Sequence, residues 1–155
     1  MIQRIQTLFL LVVLLSGIAC FFSPFWIYTG SNYTCYVNMF GAKQVMGAAT
    51  FQIISTMPVI VVLSISLILT IVSIFYFKNR RVQLKINGYN LLLTVIFIGT
   101  IYLWIPYIIT DKLPDASYDW QYGLIFPLIS LVFILLAGRF IKKDEKLVKS
   151  ADRLR

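Results

Sequence analysis

The sequence contains no histidine, and only 6 of its 155 residues are acidic. Without histidine, imidazole acid–base catalysis, histidine-containing triads and imidazole metal sites are excluded. The chain also has no glycine-rich phosphate-binding loop and no nucleophile elbow. It lacks a serine-, glycine- or proline-rich linker that would separate two domains. These absences predict one domain, residues 1–155, that is not an enzyme and has no catalytic residue, cofactor or metal site.

Four long apolar runs dominate the chain, and none of them contains a carboxylate or a lysine. Each has about the 20 residues that a helix needs to cross the roughly 30 Å hydrocarbon core of a bilayer. Charged residues make up 13% of the chain, against about 25% in ordinary globular domains. The pattern predicts an all-α integral membrane protein with four transmembrane helices. The predicted spans are Ile5–Ile27, Phe51–Phe77, Ile86–Ile109 and Gln121–Ile141.

The distribution of basic residues predicts the orientation of these helices. Of the 14 basic residues, all except Lys43 and Lys112 lie before the first run, between the second and third, or from the end of the fourth onward. Loops rich in Lys and Arg stay on the cytoplasmic side, so both termini are expected there. The net charge of +8 then reflects topology and not nucleic-acid binding.

Aromatic residues at the ends of the predicted helices support the same topology. Trp and Tyr collect at the two interfaces between membrane and water. All three tryptophans fall at helix ends assigned to the outer side. The aromatic residues at these outer ends are Trp26, Tyr28, Tyr102, Trp104, Tyr107, Trp120 and Tyr122.

The first outer loop, between Tyr28 and Thr50, has a turn-like cluster between two stretches that favour strands. A short β-hairpin is therefore expected in this loop. Cys20 and Cys35 both lie on this side, and a disulfide between them would close a loop of about 15 residues. The alternative is that Cys20 is a small buried apolar residue and that Cys35 is an unpaired thiol.

Predicted helix two carries a polar stripe, Ser66, Thr70 and Ser73, at intervals of four and three residues. Such residues allow close packing and hydrogen bonds between helices, or they line a water-filled path. Packing is favoured because no acidic, basic or histidine residue accompanies the stripe.

The segment after helix four is basic and amphipathic, and we expect the helix to continue through a cytoplasmic tail, residues 142–155. Its apolar residues recur at helical spacing, and Glu145 and Lys149 form a favourable pair four apart. The tail is either a solvated stop-transfer signal or a contact for anionic lipid or a cytoplasmic partner. The candidate contact residues are Lys142, Lys143, Lys146, Val148, Ala151 and Leu154.

The two ends of the chain, Met1–Thr7 and Lys142–Arg155, carry a resemblance to a known family. They are similar to the ends of a small four-helix membrane protein family of Bacteroidetes that is catalogued only as a domain of unknown function. The resemblance implies a bacterial inner membrane and supplies no active site.

The features together predict a non-catalytic inner-membrane protein that serves as an accessory or scaffold subunit of a larger assembly. Its expected partners are the lipid bilayer and other membrane proteins or further copies of the same chain. The alternative function is a small transporter or channel, with a path along the Ser66, Thr70 and Ser73 face of helix two.

Overall fold

A computed structural model describes residues 2–46 and 49–152 of the chain. Four of its helical segments are long and apolar enough to cross a membrane, as the four apolar runs predict. These segments are Ile5–Phe22, Met57–Phe75, Arg80–Lys112 and Tyr122–Val148. The chain is thus a multi-pass membrane protein by the length and composition of its helices.

In the described part of the chain, five α-helices build the bundle. The third span is made of two of them, which are joined by a π-helical turn at Thr100–Trp104. The helices are α1 (Ile2–Phe22), α2 (Met57–Phe75), α3 (Arg80–Gly99), α4 (Ile105–Lys112) and α5 (Ile125–Asp152). Helices α1 and α3 each pack against both α2 and α5, so the four long helices form a ring.

The strands lie at one end of the bundle, which we call the sheet end. Two of the predicted spans extend too far toward this end. Helix α1 stops at Phe22, and Ile27 belongs to a strand. The cause is Pro24, which lacks a backbone N–H and disfavours helical geometry in the residue before it. Phe51 also lies in a strand, and α2 starts only at Met57, with proline in its first turn.

The expected short hairpin is present as the first two strands of a five-stranded antiparallel sheet, which covers the sheet end and corrects the all-α class. The strands are β1 (Trp26–Thr29), β2 (Thr34–Asn38), β3 (Gly41–Met46), β4 (Ala49–Ile54) and β5 (Ser117–Trp120). Their order across the sheet is β4-β3-β2-β1-β5. The first four strands come from the loop after α1, whereas β5 comes from the loop after α4. The sheet therefore joins two loops that are distant in sequence.

The inner face of the sheet rests on the helix ends. Phe25, Cys35 and Val37 are fully buried there and belong to one apolar cluster with Ile101 and Ile105. An isolated hairpin is marginal in water, and this burial explains how such short strands are stabilised. The opposite end of the bundle, which carries the C-terminal part of α5, is called the tail end below.

Candidate functional site

The polar stripe of α2 is a packing surface in the middle of the bundle. Ser66 Oγ donates a hydrogen bond to Asn90 Oδ1 at 2.5 Å, and Asn90 Nδ2 donates one to Thr70 Oγ1 at 2.7 Å. All three side chains are buried. Ser73 is also buried, and its backbone carbonyl accepts from Gln83 Nε2 at 3.0 Å. The structure thus brings the predicted stripe together with α3.

Helix α3 supplies a second polar stripe, which the sequence reasoning missed. Its members are buried and recur at intervals of four, three and four residues: Gln83, Asn87, Asn90 and Thr94. Side-chain amides at helical spacing inside an apolar run are the signal that would have revealed it. Asn87 Nδ2 donates to the carbonyl of Ile134 at 3.1 Å, so α3 bonds to α5 as well as to α2.

The sheet-ward half of the interior is closely packed. Ser16 and Ser130 share a hydrogen bond of 2.7 Å between α1 and α5. A cavity of about 10 Å³ lies beside Ser66, Thr94 and Ser130. A single water needs about 10–15 Å³ measured in this way. The cavity therefore has room for about one water molecule.

The tail-ward half of the interior has polar atoms in excess of their partners. Apart from Asp144 Oδ2, which is in an ion pair with Arg80, four buried atoms there accept or donate no hydrogen bond within the described protein: Gln6 Nε2, Ser73 Oγ, Gln83 Oε1 and Asn87 Oδ1. They come from three helices, α1, α2 and α3. Buried polar groups are normally hydrogen-bonded, so this half of the bundle has bonding capacity for water or a polar solute.

An aromatic cleft of about 570 Å³ opens at the sheet end. One wall consists of Trp26 and Tyr28 of β1 and Tyr118 of β5. The other wall is the end of the third span and includes Tyr102, Pro106, Tyr107, Thr110 and Asp111. Four of these residues lie on one side of α4, because they recur at intervals of one, three and one: Pro106, Tyr107, Thr110 and Asp111. Sequence reasoning assigned most of these aromatic residues to the membrane interface and did not predict a cleft.

The π-helical turn lies beside this cleft and contributes Tyr102 to its wall. The N–H of Ile105 donates to the carbonyl of Thr100, five residues earlier. In that register the next donor would be Pro106, which has no N–H, so the carbonyl of Ile101 lacks a donor from its own helix. The indole Nε1 of Trp26 donates to this carbonyl at 3.2 Å. The proline thus creates the acceptor that anchors strand β1 to the third span.

The phenol of Tyr28 stays neutral in this setting. Burial, followed by the nearby Cys35 and Tyr118, raises the pKa of Tyr28 to about 12. Tyr102, on the opposite wall, donates its hydroxyl to the carbonyl of Leu124 at 2.7 Å. With the Trp26 and Tyr102 donors engaged in backbone bonds, the cleft is walled mainly by aromatic rings.

The C-terminal part of α5 is attached to the turn between α2 and α3. Arg80 Nε lies 2.9 Å from Asp144 Oδ2, and Arg81 Nε lies 3.7 Å from Glu145 Oε1. Asp144 is buried by this contact. The exposed position of Arg81 makes the second pair the weaker one. Helix α5 continues into the tail to Asp152, as expected from its spacing.

Several of the candidate contact residues of the tail point to solvent. Lys142, Lys143, Lys146 and Val148 are exposed. Ala151 lies within α5, and Leu154 lies outside the described residues. The structure therefore offers a mainly basic helical surface with an exposed valine, and it does not bury that surface against the bundle.

Cys20 and Cys35 are free buried thiols in the structure, which therefore does not contain the disulfide that the sequence allows. Both belong to the apolar cluster beneath the sheet. Burial raises the pKa of Cys35 to about 11, so this thiol is protonated at neutral pH. Their environment is that of small apolar residues.

The fold and these surfaces define a class: a multi-pass membrane protein with four spans and an antiparallel sheet at one end. A family model described as a domain of unknown function, DUF4293, matches residues 2–154. The chain belongs to this family, which confirms the resemblance to a family of unknown function. No curated protein matches the chain.

Proposed function

We propose that the protein is a non-catalytic subunit of a larger assembly in the bacterial inner membrane, with both termini in the cytoplasm. The distribution of Lys and Arg supports this orientation, since the tail end carries nearly all of them. The sheet end is then outside. Helix faces contact lipid and neighbouring subunits, and the tail of α5 contacts a cytoplasmic partner.

The observation that carries the proposal is the length and attachment of α5. Its 28 residues span about 42 Å at 1.5 Å per residue, whereas the hydrocarbon core is roughly 30 Å thick. About two turns of helix therefore project beyond the core. A short isolated helix is marginal in water, so the Arg80–Asp144 ion pair matters because it holds these turns in place.

The chemistry of the C-terminal part of α5, from Lys142 onward, suits a protein partner. Lys142, Lys143 and Lys146 supply positive charge, and Val148, with 42% of its surface exposed, supplies an apolar contact. A solvated stop-transfer tail needs only the charges. The buried Asp144 and the continuous helix support a tail of defined shape, which is what a docking surface requires.

Purification of the full chain from native membranes in mild detergent, followed by mass spectrometry, tests the proposal. We expect a stoichiometric partner with the wild-type protein and its loss with Val148→Asp. Phe40→Asp is the matched control, because Phe40 is exposed at the opposite end of the molecule, in the turn after β2. Recovery of the chain alone in all three preparations would contradict the proposal.

The alternative function, a small transporter or channel, is favoured by the unpartnered polar atoms of the tail-ward half. The narrow cavity between Ser66 and Ser130 argues against an open path through a single copy. Proteoliposomes distinguish the two functions. For an accessory subunit we expect glycerol and urea to enter no faster than into protein-free vesicles. A faster entry that Asn87→Leu abolishes would establish the transporter function instead.

A further inference from the structure

The preference of aromatic residues for the membrane interface does not explain the buried rings of the aromatic cleft. Interfacial Trp and Tyr residues sit at the boundary between lipid and water, as the exposed Trp104 and Trp120 can. Trp26 and Tyr28 differ from these, because only 8% and 1% of their surfaces are exposed. They are enclosed by protein on most sides and line a cleft of about 570 Å³. This volume lies within the roughly 300–1,000 Å³ that is typical of small-molecule sites.

The rings of the cleft hold each other in place. The ring of Tyr118 lies 6.0 Å from that of Trp26 and 6.2 Å from that of Tyr28, centroid to centroid. Tyr28 and Tyr118 are also directly paired across strands β1 and β5. The indole N–H of Trp26 and the hydroxyl of Tyr102 are bonded to backbone carbonyls. The cleft is thus preorganised by contacts that need no ligand.

The charge of the cleft has one sign. Asp111 lines it, one turn after Tyr107 on α4. Among the residues described for this region, no basic side chain lines the cleft. The surrounding loop adds Asp115 and Asp119 against one base, Lys112. An aromatic ring attracts a cation at its face, and a carboxylate attracts the same charge.

We propose that the aromatic cleft binds an alkylammonium group, held by the rings of Trp26 and Tyr118 and by the carboxylate of Asp111. An inorganic cation fits less well because the walls offer rings and only one carboxylate, whereas hard cations take several oxygen ligands. An anion is opposed by Asp111. The ammonium group comes either from a free solute or from a lipid headgroup, since the cleft lies where the third span ends. This site is at the opposite end of the molecule from the tail, so it does not depend on the proposed accessory role.

Choline is the probe, and its neutral isostere 3,3-dimethylbutan-1-ol is the matched control ligand. Binding to the full chain in detergent is followed by the tryptophan fluorescence of the protein and by saturation-transfer NMR of the ligand. We expect saturable choline binding, with the neutral alcohol at least about tenfold weaker, a difference of about 1.4 kcal/mol. Equal binding of the two would overturn the proposal, because the cleft would then recognise shape and not charge.

Variants locate the site. Asp111→Asn should weaken choline binding by at least about fivefold, whereas Asp115→Asn, an identical change outside the cleft lining, should leave it within about twofold. Tyr118→Leu, on the exposed rim, should also weaken binding. It avoids the buried Trp26, whose replacement would disturb folding. Choline binding that is unchanged in both Asp111→Asn and Tyr118→Leu would refute the assignment.

A lipid arm separates the two sources of the ammonium group. The protein is placed in nanodiscs of phosphatidylglycerol with or without phosphatidylethanolamine, and lipids retained on release into detergent are identified by native mass spectrometry. Retention of phosphatidylethanolamine that Asp111→Asn removes assigns the cleft to a lipid headgroup. Equal choline binding in both kinds of nanodisc assigns it to a free solute. If phosphatidylethanolamine is not retained and choline does not bind in any of these experiments, the proposal is overturned.

Discussion

Replacing Asn90 by alanine removes the side chain that joins α2 to α3 in the middle of the bundle. Asn90 bonds to both Ser66 and Thr70, and all three are buried. Hydrogen bonds between helices in membranes contribute about 0.6 kcal/mol on average and at most about 1.7. The loss of two such bonds should therefore lower the free energy of unfolding by about 1–3 kcal/mol.

A double-mutant cycle isolates the part of this loss that belongs to one hydrogen bond. The four proteins are the wild type, Ser66→Ala, Asn90→Ala and the double variant. Their free energies of unfolding are measured by titration with sodium dodecyl sulfate in mixed micelles, followed by far-ultraviolet circular dichroism. We expect a coupling energy of about 0.6–1.7 kcal/mol between Ser66 and Asn90.

The control cycle pairs Ser66→Ala with Leu92→Ala. Leu92 lies on α3, the helix that carries Asn90. However, 58% of its surface is exposed, so it faces away from Ser66. The two changes should add within about 0.3–0.5 kcal/mol. A Ser66–Asn90 coupling no larger than that of the control would show that the polar stripes do not hold α2 to α3.

Three further predictions concern the rest of the molecule. A reporter that is active only in the cytoplasm should be active when fused to the C-terminus. A reporter that is active only in the periplasm should be active when inserted near Asn32. The reverse result would overturn the orientation. Gly123→Ala should lower the free energy of unfolding, because the new Cβ would lie 2.2 Å from the backbone oxygen of Pro24. In the control variant Gly88→Ala, the new Cβ has no atom within 4 Å, so this change should be neutral or stabilising by up to about 1 kcal/mol. The free energy of unfolding should fall as the pH is raised from about 8 to about 10. Folding raises the pKa of Cys35 from 9.0 to about 11, so the thiol of the unfolded chain loses its proton first. The Cys35→Ala variant should show a shallower decline, and an equally steep decline would refute the assignment to this thiol.

The four spans could be predicted from the sequence because they depend on local hydrophobicity alone. The sheet could be predicted only in part, as the hairpin of β1 and β2, because β5 has only four residues and pairs with β1, about 90 positions earlier in the chain. Its residues are all exposed, so the alternation that marks a half-buried strand is missing. Pairing with a distant strand is what makes this segment extended.

The interior sites could be predicted in part. The hydroxyl stripe of α2 is visible in the sequence as a helical spacing, whereas its partner Asn90 on α3 is not predicted by that spacing. The aromatic cleft combines Trp26, Tyr102 and Tyr118, which belong to three separate segments. Each of these segments alone resembles an ordinary membrane boundary. Only the pairing of β1 with β5 brings them together.

The place of β5 in the sheet has a consequence for biosynthesis. Strands β1 to β4 leave the ribosome before α3 and α4, so they can pair with one another as soon as the first two helices are inserted. In the proposed orientation, strand β1 keeps an open edge until Ser117–Trp120 has crossed the membrane. Unpaired edges invite wrong partners. The arrival of β5 thus completes a sheet that stays one strand short for most of translation, and in the proposed orientation this happens only after the third span has been inserted.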